Sequence, residues 1–358
     1  LDYNVTYRKK DGGWQFIISY KVDGKWKQRG KQGFKTQKEA KPIVDKMLTE
    51  LKKELKNRKE IVNSDYNTIT FKQLSDAFLE HNKLYKEHNT LKGYRNALSN
   101  FKDLNDISIK NIKKLNIIKC VDNMIKRNLK SNTIKTYLGR AALLFEYYKD
   151  NYDPNYNNPI HDIKLPKDKT GTNKAALTKT QLTKLLEQLK SNRYYIVAYI
   201  AGNTGLRCGE ILGLTWSDIH KKEMCISVNK QWKVLNNGKS GFGELKTKNS
   251  NRKVPISKNV LKELENYKKT HPISIDNRIA PFNKASIEKY LNPELRRLAG
   301  ISLHELRHTY ATLLISNGVD FKTAAKILGH TVEMTLRTYS HVTDDMMKNA
   351  SKKIEKIF

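Results

Sequence analysis

The sequence predicts a mainly α chain with small β elements, in three parts. These are an N-terminal three-stranded sheet plus helix over 1–60, a helical bundle over 61–168 and a mixed α/β domain over 169–358. Three observations carry the prediction. Apolar and polar residues alternate in residues 3–29 with Asp-Gly turns between the runs, the signature of short half-buried strands. From Thr70 to about Asn151 apolar residues recur at helical spacing. Beyond a Lys/Thr/Gly/Pro-rich stretch at 164–174, which reads as a linker, helical and strand patterns mix. A chain of 358 residues has room for two or three domains of about 100–200 residues each.

Each element has a local reason. Tyr3, Val5 and Tyr7 alternate with polar residues, and Asp11-Gly12-Gly13 and Asp23-Gly24 mark turns, so strands are expected at 3–9, 13–20 and 24–29. Thr36 followed by Glu39 reads as a capping box opening a helix to about Lys59, with Ile43, Met47, Leu48, Leu51 and Leu55 as its stripe. In the bundle, one helix is marked by Phe71, Leu74, Phe78 and Leu79, and a second by Tyr94, Leu98 and Phe101. A third is read from Ile112, Leu115, Ile118, Val121 and Ile125, and a long fourth spans Thr133 to Lys149. The last domain should hold helices at 178–190, 193–204, 257–269, 284–299, 303–316, 320–328 and 331–338. Its strands are expected at 224–230 and 252–256, around a turn at Asn236-Asn237-Gly238.

Charge narrows the partner. Lys and Arg number 68 against 36 Asp and Glu, a formal net charge of +32. The excess is spread along the chain: 17 basic against 8 acidic residues in 1–60, 19 against 12 in 61–170, and 32 against 16 in 171–358. Basic surface on every part suits a long polyanion, with nucleic acid the first candidate. The three cysteines, Cys120, Cys208 and Cys225, show no paired spacing, which argues against a disulfide framework or cysteine metal site and fits a reducing compartment. No apolar run approaches the roughly 20 residues of a membrane span. The expectation is a cytoplasmic DNA or RNA protein.

The residues that point to chemistry lie in the last domain: Thr204-Gly205-Leu206-Arg207-Cys208-Gly209-Glu210, then Leu245-Lys246-Thr247-Lys248 ahead of Arg252-Lys253, then His304-Glu305-Leu306-Arg307-His308-Thr309, then Leu328-Gly329-His330, and last Thr338-Tyr339-Ser340-His341. Each motif alone is common, but their conjunction and order are not. At these residues the chain resembles the tyrosine recombinases, the integrases of temperate phages and conjugative transposons. The resemblance implies Arg207, Lys246, His304, Arg307, His330 and Tyr339 as catalytic residues, with Glu210 in support. Lys248 stays open as the alternative to Lys246. The strong part of the likeness covers about 175–345, and the two preceding parts match the family's arm-binding and core-binding domains in architecture.

These residue types suit phosphoryl transfer. Two guanidiniums can grip the non-bridging oxygens as charge builds on them. A tyrosine can form a covalent 3′-phosphotyrosine, and because an ordinary phenol has a pKa of about 10, it needs a proton acceptor, for which His304 is the candidate. Lys246 would protonate the leaving 5′-oxygen and His330 would donate to the phosphoryl group. No metal or cofactor is expected, and the bond energy held in the covalent link removes any need for ATP.

The expected activity is site-specific recombination that integrates or excises a mobile element or prophage. The expected partners are double-stranded DNA at core and arm sites and three further copies of the chain in a homo-tetramer. The resemblance also admits an accessory excision factor or a host DNA-bending protein. Lys92, Arg95, Lys135, Arg140, Lys248 and Arg252 are expected to meet DNA, although for Arg252 a solvated strand edge fits as simply. The tail at 342–358 reads as an amphipathic helix that docks on its own or a neighbouring protomer. A type IB topoisomerase and a non-catalytic DNA-binding regulator are the competing readings.

Overall fold

The computed structural model describes residues 2–10, 13–22, 25–62, 69–166, 176–245 and 250–339. The chain divides into two compact units, Leu1–Lys169 and Thr170–Phe358.

The first unit opens with an antiparallel sheet in the order β1 (Tyr3–Lys10), β2 (Gly13–Val22), β3 (Lys25–Phe34). Alternation along β2 sends Phe16, Ile18, Tyr20 and Val22 to one face, where they are buried against α1 (Gln37–Val62) at Ala40, Val44, Leu48 and Leu51. Half of the expected capping box forms: the Thr36 hydroxyl accepts from the Glu39 amide, while the Glu39 carboxylate accepts from the Lys35 amide, one residue ahead of the cap. β3 runs five residues past its expected end at 29, because Phe34 pairs with Trp14 and packs into the same core.

The bundle comprises α2 (Phe71–Lys83), α3 (His88–Leu98), a 3-10 turn at 99–104, α4 (Lys114–Lys126) and α5 (Ser131–Asn151) around one apolar core. Here one expectation fails. The buried face of α4 is Ile117, Cys120, Val121 and Met124, while Leu115 and Ile125 are exposed. Apolar residues lie on two adjoining faces of this helix, so periodicity alone cannot choose its phase, and packing on the neighbouring helices does. Helices α3 and α5 approach closely at Gly93, where the Arg140 guanidinium takes the space a Cβ would need and donates to the Gly93 carbonyl at 2.9 Å.

In the second unit, α6 (Lys179–Gln188) precedes α7 (Tyr195–Thr204), which is apolar nearly all round and forms the centre of the core. After α8 (Cys208–Leu212), β4 (Ile219–His220), β5 (Cys225–Val228) and β8 (Arg252–Pro255) form an antiparallel sheet in the order β4-β5-β8. The Asn-Asn-Gly turn does not join the two expected strands. It closes an inserted hairpin, β6 (Gln231–Val234) and β7 (Ser240–Gly243), with Gly238 at φ +79°. That hairpin lies against the end of α8, where a Cβ on Gly213 would stand 2.7 Å from the Trp232 amide nitrogen.

The remaining helices are α9 (Lys258–Thr270), α10 (Lys284–Ser286) leading through a π-helical turn at 287–291 into α11 (Asn292–Ala299), α12 (Leu303–Ser316), α13 (Phe321–Leu328) and α14 (Val332–Tyr339). They fall within one or two residues of the expected ranges, because each carries its own start or stop signal: Ser257, Asn283 and Asp320 cap amides, and Gly300 and Gly329 end helices with φ +68° and +64°. No helix among the described residues is long and apolar enough to cross a membrane.

Candidate active site

The site forms where two helices end and a third passes between them. Helix α7 stops at Gly205, with φ +66°, and α13 stops at Gly329. Helix C-termini carry unsatisfied carbonyls and a partial negative charge. Both ends face arginines. Arg307, in the second turn of α12, is 1% exposed and donates from Nη1 to the Gly205 carbonyl at 2.6 Å and from Nη2 to the Leu328 carbonyl at 2.5 Å. Arg207, just after the end of α7, donates from Nη2 to the Gly329 carbonyl at 2.9 Å. Gly205 has no room for a side chain, since a Cβ would lie 2.5 Å from the Tyr310 ring.

Glu210 holds this cluster from beneath. Its carboxylate accepts from the Arg207 amide and Nη1 at 2.9 and 2.8 Å, and from Arg252 Nη1 and Nη2 at 3.1 and 2.9 Å. Burial alone would raise its pKa, but the bonds from Arg252 and then Arg207 outweigh it and hold the carboxyl below the usual range. Arg252 also donates to the Ile327 and Ser250 carbonyls, and its side chain is 3% exposed. Neither expectation for Arg252, a phosphate contact or a solvated strand edge, describes its position. It is a buried brace between β8, Glu210 and the end of α13, drawn in because a buried carboxylate needs a bidentate cation.

His330 follows Gly329. Its Nε2 lies 2.8 Å from Arg307 Nη2. A guanidinium only donates, so Nε2 accepts and the ring proton sits on Nδ1. That Nδ1 is buried and has no hydrogen-bond partner among the described residues. Burial, then the charge of Arg307, pushes the His330 pKa down to about 3, so the ring is neutral. Arg307 is pulled down to about 9 by burial and by Arg207, and remains a cation near neutral pH.

Tyr339 ends α14. Its ring is 2% exposed and packs with Ala311 and Ile315 of α12 and Ala324 and Leu328 of α13. Burial lifts its pKa to about 12, with Arg307 opposing. Its hydroxyl lies 2.8 Å from Nδ1 of His308. The partner expected for Tyr339 is His304, but His304 is exposed in the first turn of α12, with its ring edge-on to His308 at 4.8 Å between centroids. His308 is absent from the expected set. Its signal is present in the sequence, since His308 follows Arg307 directly and lies one turn from His304 on the same face.

Arg207, Glu210 and Arg252 thus form one hydrogen-bonded group and Arg307 with His330 a second; both groups donate to carbonyls at the end of α13, and Tyr339 lies close enough to Arg307 to feel its charge. Lys246 and Lys248 lie outside the described residues, between β7 and β8. So does the tail at 342–358. In the first unit, Lys92, Arg95 and Lys135 are exposed, whereas Arg140 is half-buried on Gly93.

Known proteins resemble the chain in sequence and in fold. Residues 175–346 match the phage integrase family, and residues 5–51 match an arm DNA-binding domain. The chain is 29% identical over 305 residues to a tyrosine recombinase XerC-like protein of Caldanaerobacter subterraneus subsp. tengcongensis, covering 74% of this chain and 76% of that one. It is 27% identical over 362 residues to the integrase of Staphylococcus phage L54a, covering 87% of this chain and 99% of the relative. The fold is that of the Tn1549 transposon integrase, solved in complex with transposon right-end DNA, with a TM-score of 0.65 at 22% identity over 80% of this chain and all of that one. Over residues 175–346 the chain is a domain of the phage integrase family, and its relatives are tyrosine recombinases and integrases, enzymes of site-specific DNA recombination.

Proposed function

We propose that Tyr339 is the nucleophile with which this recombinase cleaves and rejoins DNA through a 3′-phosphotyrosine, integrating and excising a mobile element or prophage. The observation that carries the reading is the convergence of Arg207, Arg307, His330 and Tyr339 on the ends of α7 and α13. The hydrogen bonds described use three of the five N–H groups of Arg307 and two of those of Arg207, whose side chain is 36% exposed. The remaining donors suit the non-bridging oxygens of a phosphate, where charge develops as the bond breaks. His330 adds its Nδ1–H, a buried donor that a phosphoryl oxygen would satisfy.

Glu210 and Arg252 do not reach the substrate in this reading; they set the angle and charge of Arg207. Lys246, or else Lys248, supplies the proton to the leaving 5′-oxygen. Residues 1–60 bind arm sites. The bundle, with Lys92, Arg95 and Lys135 exposed, grips the core site by its phosphates, with a smaller share for Arg140. Strand exchange needs several cleaved ends at once, so the working form is a homo-tetramer on two duplexes, with an accessory excision factor or host DNA-bending protein setting direction. Its substrate places this work in the cytoplasm.

The test uses nicked suicide DNA carrying the element's own attachment site. A covalent protein–DNA adduct with the wild-type chain, absent in Tyr339→Phe, is the expected result. No adduct under conditions where the DNA is bound overturns it. Relaxation of plasmids that lack such a site, without strand exchange, points instead to a type IB topoisomerase.

A further inference from the structure

The geometry points to His308, not His304, as the group that takes the proton from Tyr339; this rests on Tyr339 being the nucleophile. On α12, residues 304, 308, 311 and 315 follow helical spacing, so they form one stripe along the helix. Ala311 and Ile315 make its apolar end and hold the Tyr339 ring, together with Ala324 and Leu328. With the ring fixed there, its hydroxyl reaches the next position up the stripe, where His308 Nδ1 lies 2.8 Å away. His304 stands one further turn along, about 6 Å by helical rise. Its ring meets the edge of His308 rather than the phenol.

The phenol needs such a partner. In its burial Tyr339 sits at about 12, so near neutral pH it carries its proton and attacks only if a neighbour removes it. The other candidates are already committed. His330 accepts from Arg307, and Glu210 is held by Arg207 and Arg252. Among the described residues, the charged and titratable groups around the pair are His304 and Arg307 from α12, Arg207 and Glu210 from the start of α8, Arg252 from β8 and His330 after α13. Over the described residues this surrounding is net positive, which favours the phenolate.

The step balances. The Oη–H bond of Tyr339 breaks and the proton passes to the lone pair of His308 Nδ1. The phenolic oxygen bonds to phosphorus as the bond to the 5′-oxygen breaks, and that oxygen leaves with a proton from the general acid. In rejoining, a 5′-hydroxyl attacks phosphorus, gives its proton back to the general acid, and the departing phenolate recovers its own proton from His308.

The test measures adduct formation on nicked suicide DNA against pH, with the full chain, for wild type, His308→Asn, His308→Ala and His304→Ala. Melting temperature and DNA Kd identify variants that remain folded. Asn at 308 keeps a hydrogen-bond partner for the hydroxyl but cannot take its proton. The expected result is a rate lower by roughly 10²–10⁴-fold in His308→Asn, with the acid limb of the pH profile gone. Added imidazole should accelerate His308→Ala, and His304→Ala should retain the limb. Two outcomes overturn the assignment: a His308→Asn enzyme that keeps the wild-type limb, whatever its rate, or loss of the limb and imidazole rescue in His304→Ala instead. Either leaves the nucleophile in place, whereas absence of adduct in the wild type removes the underlying reading.

Discussion

The helical bundle and the recombinase site use positive charge in opposite ways. On the bundle, Lys92, Arg95 and Lys135 stand exposed. In the site, Arg307 and Arg252 are buried, and their donors end on named carbonyls, a carboxylate and an imidazole. An exposed charge is screened by salt and holds no fixed direction, so it adds affinity without chemistry. A buried charge must be paired, and the pairing fixes its direction. Under the proposed function, that is the difference between holding a DNA backbone and acting on one phosphate.

The sharpest break of this comparison is Arg307→Ala. Loss of a positioned cation at developing charge should slow adduct formation by roughly 10²–10³-fold, with DNA Kd changed far less. Equal losses in rate and binding would place Arg307 with the bundle lysines. Next is Arg252→Ala, which leaves Glu210 buried with one partner fewer and should lower stability by about 3 kcal/mol, read by urea unfolding. The same pair predicts a pH dependence. The Glu210 pKa is depressed in the folded state, so its contribution is present above the ordinary carboxylate value of about 4.3 and is lost as pH falls through the lower folded value. Arg252→Ala should flatten that acid loss, and an unchanged acid profile would show that the pair does not govern it.

A smaller effect is expected from Gly205→Ala. Its φ of +66° and the Tyr310 ring at 2.5 Å from a new Cβ both oppose a side chain, so stability should fall by about 1–3 kcal/mol, with adduct formation reduced as the carbonyl holding Arg307 shifts. A melting temperature equal to wild type would show that the end of α7 yields freely. The smallest effects belong to the bundle. Replacing Lys92, Arg95 and Lys135 by Ala one at a time should weaken DNA binding modestly and lower the slope of log K against log salt by about 0.9 for each phosphate that is no longer neutralised. An unaltered slope would reduce these residues to solvated surface.

Local signals made much of the fold legible. Thr36 with Glu39 opens α1, and Asp320 and Gly329 bracket α13, because caps and left-handed glycines act within a few residues of chain. The candidate residues Arg207, Arg307, His330 and Tyr339 are readable from motif order, and their meeting at two helix ends is not. The buried face of α4 resists reading because Leu115 and Ile125 extend its apolar arc past what the bundle covers. The inserted hairpin escapes notice because its short strands carry Gly and Lys, with little alternation to mark them.

By itself, then, the sequence determined the helix limits, the basic charge and the set of chemical groups, since capping, periodicity and composition are properties of neighbouring residues. Only the tertiary structure decided that Arg252 turns inward to Glu210 and that His308, not His304, meets Tyr339. The reason is geometric. Periodicity puts both histidines on one face of α12, but their distance from a tyrosine on another helix depends on axial position. That position is set where the Tyr339 ring packs on Ala311 and Ile315.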